Sequence, residues 1–123
     1  MLTVKGKKFW GDSYWKTIHC STAAYRPENA KQFKQFTEAL PYLLPCEECG
    51  EHLIANLKAV PVDNYLGSNH DLFFWGYIIH DRVNQAYNKE HPDQPPKYSP
   101  PFDQVKAYYF RALSEDCKAC STL

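Results

Sequence analysis

Pro45-Cys46-Glu47-Glu48-Cys49 sets two cysteines three positions apart at the start of a helical pattern. On a helix such a pair lies one turn apart, within reach of a sulfur–sulfur bond. Pro45 stops the segment before it and fixes the entry to the next one. A cysteine in a first helical turn feels the positive end of the macrodipole, which favours its thiolate. The thiolate both attacks disulfides and ligates metals. The spacing therefore serves thiol–disulfide exchange or half of a zinc site, and two buried thiols are the plainest alternative. Glu47 and Glu48 read as solvated first-turn acids that partly offset the dipole's effect on the sulfurs.

A second C-x-x-C, Cys117-Lys118-Ala119-Cys120, lies close to the C-terminal end, and Cys20 completes a set of five cysteines. An odd count argues against a simple secreted disulfide scaffold. Cys20 reads as a buried or interface thiol. A zinc-binding interaction module would use Cys46, Cys49, His52 and the tail cysteines. Residues 50–116 separate the two pairs, far more than the roughly 15–20 residues typical of zinc ribbons.

The elements that must carry these groups are helical. The chain has 123 residues, enough for one domain with its own core. Proline and glycine divide it into five helical segments. The first covers residues 12–25, with Trp15, Ile18, His19 and Thr22 on one face. The second covers residues 28–40, with Phe33, Phe36 and Leu40 inward and Pro41 closing it. The third runs from the C-x-x-C to residue 59, with Leu53, Ile54 and Leu57 as core. The fourth and longest covers residues 68–89, capped by Ser68 or Asn69. The last covers residues 102–113, with Val105, Tyr108, Tyr109 and Leu113 inward. Residues 91–101 are proline-rich and read as an ordered irregular connection. Residues 114–123 read as a polar, mobile tail, leaving 1–113 as the domain. His70 and His91 read as surface or capping residues. The fold class is all-α, a compact helical bundle.

The fourth helix carries two adjoining stripes. Leu72, Trp75, Ile79, Val83 and Ala86 form an ordinary apolar one. Phe73, Gly76, Tyr77, His80, Asn84 and Tyr87 form a mixed one. Burying His80 and Asn84 requires partners for their polar atoms, and a bound ligand could supply them. Three Trp, nine Tyr and seven Phe could build a dense core or a stacking site for a planar ligand. The formal net charge is zero, so nothing points to electrostatic capture of nucleic acid or of an anionic membrane. No apolar run approaches a membrane span, and residues 1–8 lack the apolar stretch of a signal peptide.

Three motifs in order carry a resemblance. Trp10-Gly11-Asp12-Ser13-Tyr14-Trp15-Lys16-Thr17-Ile18-His19, then Pro45-Cys46-Glu47-Glu48-Cys49-Gly50-Glu51-His52, then Trp75-x4-His80-x2-Val83-Asn84 are similar to those of the Erv/ALR FAD-linked sulfhydryl oxidases. The likeness covers roughly residues 9–110, and the W-G-x-x-x-W opening and the minimal length look most like the versions of large DNA viruses.

The resemblance implies a five-helix fold in which a four-helix bundle holds FAD, and a homodimer. It implies that Cys46 and Cys49 form the redox-active disulfide, with Cys49 next to the flavin and Cys46 attacked by the incoming thiol. Gly11, Trp15, His19 and Tyr25 match first-helix positions at the FAD site. His80, Val83 and Asn84 match the fourth-helix motif, and Lys89 the basic residue near the phosphates. His52 matches a C-x-x-C-x-x-H variant. Cys117 and Cys120 resemble the shuttle pairs of family tails. Thiols of protein substrates would supply the electrons and O2 would accept them. The site of action would be host cytoplasm or virion, or else the mitochondrial intermembrane space. Asp81 departs from the family's H-N-x-V-N, and the extra structural disulfide of many cellular members has no cysteines here.

Overall fold

The structure is a computed structural model that describes the backbone of residues 7–119 and the side chains of residues 9–115. Five α-helices follow one another: α1 (Lys7–Ala23), α2 (Ala30–Leu43), α3 (Glu47–Ala59), α4 (Asn69–Glu90) and α5 (Phe102–Ala119). Short 3-10 turns at Pro27–Asn29 and Val62–Tyr65 lead into α2 and α4. The all-α reading holds. The main packing is α1 on α4 and α2 on α3, as in a helical bundle, with α5 laid against α1 and α4. Among the described residues no helix is long and apolar enough to cross a membrane.

Local chemistry sets the ends that matter for the site. Cys46 is the N-cap of α3: its backbone is extended and its sulfur accepts the Cys49 N–H at 3.2 Å. Leu44, just before Pro45, is extended as that position demands. Ser68 caps α4, its hydroxyl accepting the Asp71 N–H at 3.1 Å. At the far end of α1, Asn69 donates to the Ala23 carbonyl at 2.9 Å, and Tyr25 donates to Leu66 at 2.7 Å. Both bonds serve backbone carbonyls and tie α1 to the start of α4.

Pro41 does not close α2; the helix runs on to Leu43 with Pro41 buried inside it. A proline removes one backbone bond and crowds the carbonyl a turn earlier, but in a last turn little helix remains to be lost. At this last turn α2 and α3 cross closely. Gly50 faces the Pro41 backbone so tightly that a Cβ there would run into the Pro41 carbonyl oxygen.

The core lies between α1, α2, α3 and α4. Leu72 and Phe73 are fully buried at 0% exposure, and Ile18, Phe33, Leu40, Leu53, Trp75 and Ile79 are buried around them. Trp75 Nε1 donates to Val60 O at 2.9 Å, and Arg82 donates to Asn56 Oδ1 at 3.0 Å. These two bonds fix the register of α3 against α4. One inward assignment and one helix end differ from what the sequence leads one to expect. Tyr108 is 64% exposed, because α5 meets the bundle through Phe102, Tyr109 and Phe110 instead. Beyond residue 113, α5 continues to Ala119 with Cys117 inside its span. Cys120 lies outside the described residues.

Candidate active site

A cleft of about 550 Å³ opens between α1, α3 and α4, with one wall from residue 97 of the proline-rich segment. Its α1 wall is aromatic: Trp10, Tyr14 and Trp15. Its α3 wall presents Cys49, His52, Leu53 and Asn56, and its α4 wall His80, Val83, Asn84 and Tyr87. Cys46 and Cys49 are joined in a disulfide with a Cα–Cα distance of 5.2 Å. Only Cys49 lines the cleft; Cys46 stands half-buried outside it. One cysteine of the pair therefore belongs to the cleft and the other does not.

A second cavity of about 610 Å³ lies on the other side of His80, between α1, α5 and the proline-rich segment. His80, Asn84 and Lys97 line both. The divide is a stack of rings: Trp15 lies on His80 with centroids 3.9 Å apart and planes 7° from parallel. His19 Nε2 and His80 Nδ1 are 3.0 Å apart, so one ring donates and the other accepts.

That bond suits two neutral imidazoles. Burial, together with the neighbouring His80, lowers His19 from 6.5 to about 4. Burial likewise brings His80 to about 4, against the opposing pull of the Asp12 and Asp81 carboxylates and together with the push from Lys97. Between about pH 4 and 6.5 the unfolded chain binds protons at these rings that the folded chain refuses. Stability is thus held above pH 6.5 and lost as the pH falls toward 4. Urea midpoints taken at pH 7.5, 6 and 5 should fall in that order; a midpoint that stays level would contradict the buried neutral pair.

The arrangement fits a flat ring system held beside a disulfide. Trp10 Nε1 and His19 Nδ1 are buried polar atoms with no hydrogen-bond partner in the protein. Trp10 belongs to the cleft wall, and an acceptor on a bound molecule would satisfy its N–H. Aromatic faces on two helices suit a flat ring system, and a disulfide sulfur opens onto it. Among the described residues no three His, Cys, Asp or Glu side chains converge as a metal site. A zinc site would need sulfurs outside the described side chains.

Of the residues named from sequence, Gly11, Trp15, Cys49, His52, His80, Val83 and Asn84 line this cleft. His19 reaches it through His80 and itself lines the second cavity. Tyr25 and Lys89 are not brought there: Tyr25 is buried against Leu66 and Phe33, and Lys89 is exposed at the end of α4. Asp81 faces the proline-rich segment, accepting from Ser99 Oγ at 2.8 Å and from Gln85 at 2.6 Å. Trp10, Tyr14, Asn56 and Lys97 are cleft residues that the sequence reading passed over. Trp10 and Tyr14 stand at i and i+4 beside Trp15, a signal that was present; Lys97 had none.

This is the site of a helical thiol–disulfide protein with room for a flat cofactor. Residues 12–109 match the profile of the Erv1 / Alr family, and the chain belongs to that family. Several relatives share its sequence. A protein of Invertebrate iridescent virus 3 named as an FAD-linked sulfhydryl oxidase is 31% identical over 86 residues, covering 67% of this chain and 58% of that protein. The FAD-linked sulfhydryl oxidase ERV2 of Saccharomyces cerevisiae is 30% identical over 90 residues, covering 70% of this chain and 45% of that protein. The FAD-linked sulfhydryl oxidase ERV1 of Oryza sativa is 30% identical over 83 residues, covering 64% and 42%. The chain spans about half the length of these relatives. No solved structure matches it.

Proposed function

We propose that this chain is an FAD-dependent thiol oxidase that makes disulfide bonds in protein substrates and passes the electrons to O2. The observation that carries the reading is the Cys46–Cys49 disulfide at the head of α3, with Cys49 opening into the aromatic cleft and Cys46 outside it.

A substrate thiolate attacks the Cys46 sulfur, forming a mixed disulfide as the Cys46–Cys49 bond breaks. The electron pair stays on Cys49, in the first turn of α3, where the helix N-terminus favours a thiolate. A second substrate thiol then attacks the substrate sulfur, releasing the product disulfide and a reduced Cys46. The proton of each substrate thiol goes to solvent. Bound FAD supplies a two-electron acceptor that reoxidises the Cys46–Cys49 pair and a route from there to O2, which becomes H2O2. The balance is two thiols and one O2 giving one disulfide and one H2O2. Trp10, Tyr14 and Trp15 would shield the cofactor ring from water, and His52, one turn past Cys49, would lie beside the same sulfur. The four-helix part of the fold, α1 to α4, would enclose the cofactor, and the chain would act as a homodimer.

The test is the purified protein with dithiothreitol. It should carry FAD, consume O2 and form one H2O2 for each disulfide made. A protein that binds no flavin and consumes no O2 would end this reading.

Cys117 and Cys120 are proposed as the pair that relays electrons from protein thiols to Cys46. Cys117→Ala or Cys120→Ala should slow oxidation of a reduced protein substrate about tenfold or more and leave dithiothreitol oxidation within twofold, since a small dithiol needs no relay. Equal losses on both substrates would remove the relay role.

A further inference from the structure

The proline-rich segment, residues 91–101, is laced to a single face of α4. Tyr77, Asp81, Asn84 and Asn88 recur at spacings of four, three and four, which is one stripe of a helix. Tyr77 Oη donates to the Pro100 carbonyl at 2.6 Å. Ser99 Oγ donates to Asp81 at 2.8 Å and accepts from Asn84 Nδ2 at 3.1 Å. Asn88 binds the backbone of Lys97 twice: its Nδ2 donates to the Lys97 carbonyl at 2.7 Å and its Oδ1 accepts the Lys97 N–H at 2.7 Å. This pair of bonds holds residue 97 as a neighbouring strand would.

The fixed backbone sends the Lys97 side chain along the cleft wall, with Nζ 4.3 Å from the centroid of the Tyr87 ring. Among the described cleft-lining residues Lys97 is the one Lys or Arg. Asp12 and Glu90 also line the cleft, and both oppose an anion there. Lys97 borders the second cavity as well, so it stands where the two spaces meet. Lys89, which the sequence motif would select, does not reach either cavity.

We infer that Lys97 is the cation that binds the cofactor's diphosphate, and that Asn88 is its positioning residue. The inference rests on the FAD reading of the cleft and names the residue that reading needs. A diphosphate carries two negative charges, and the carboxylates of Asp12 and Glu90 belong to the same cleft lining. One lysine already ordered on a ring offsets that repulsion, and its flexible stem lets the ammonium leave the ring for a phosphate oxygen.

The experiment follows flavin release from the holoprotein on dilution, by recovery of flavin fluorescence, at low and high salt. Lys97→Gln should raise the dissociation constant roughly tenfold or more, the usual scale for a hydrogen bond to a charged group, and should flatten its salt dependence. Lys89→Gln should change it less than twofold. Asn88→Ala should weaken binding in the parent chain and add nothing in the Lys97→Gln background. A merely structural role for Asn88 would not show that dependence. Circular dichroism of each variant checks the fold. Lys97→Gln binding FAD like the parent, or Lys89→Gln carrying the loss instead, would overturn the assignment. A parent protein that never holds FAD would instead overturn the reading of the cleft, and the assignment with it.

Discussion

Cys49→Ala should lose thiol oxidation by about three orders of magnitude or more while the protein stays folded and keeps its flavin. The loss is large because the two sulfurs act as a unit. Without Cys49 no bond exists for the substrate thiolate to break at Cys46, and no sulfur faces the cleft. Removing one member of such a unit costs about as much as removing all of it. Cys46→Ala should fall equally far, since the remaining Cys49 sulfur faces inward. The fold should survive both changes. The bond closes a very short loop, so its removal frees little chain entropy. Cys46→Ala also gives up the N-cap sulfur of α3, and Cys46→Ser restores an acceptor there. Oxygen consumption with dithiothreitol, set beside the visible spectrum of each variant, reads both halves. A variant that turned over at the parent rate would remove Cys46–Cys49 from the mechanism.

The next largest expected effect is on stability, at Gly50. A Cβ there would collide with the Pro41 carbonyl oxygen. That oxygen belongs to helical backbone and cannot rotate away as a side chain would. Replacing a helical glycine by alanine ordinarily returns about 1 kcal/mol. Overpacking against rigid backbone costs about 1–3 kcal/mol and sometimes more, so Gly50→Ala should be destabilising on balance. Because Gly50 adjoins Cys49, the same shift would move the sulfur relative to α4. Gly76 provides the control. A Cβ there would meet Thr22 and His19 at 3.6–3.7 Å, ordinary contact, so Gly76→Ala should be neutral or better. Denaturant midpoints compare the two, and a Gly50→Ala protein as stable as Gly76→Ala would contradict the close crossing of α2 and α3.

Much of this arrangement was legible in the residues. The cap at Ser68, the apolar stripe through Leu72, Trp75 and Ile79, and the C-x-x-C at a helix start each have a local cause that acts within a few residues. Val83 and Ala86 continue the same stripe, yet both line the cleft rather than the core. Periodicity reports which face is apolar; a cofactor cleft and a packed core ask for the same apolar face. Pro41 shows a similar limit, since a proline near a helix end either stops the helix or rides in its last turn, and α3 packed across it decides which. Lys97 was the least legible. Its place depends on Asn88 catching a backbone nine residues on, and no period or motif encodes that bond. Lys89 matched by position along the chain, but the end of α4 turns it to solvent.

The most direct test of the account is an anaerobic titration of the flavin-loaded protein with a dithiol, followed at the visible flavin band. Electrons should flow through Cys46–Cys49 to the flavin, bleaching the band, and admission of air should restore it with one H2O2 formed for each cycle. A flavin that stays oxidised under excess dithiol while the Cys46–Cys49 bond is reduced would show that the disulfide and the cleft are not coupled, and would contradict the central claim.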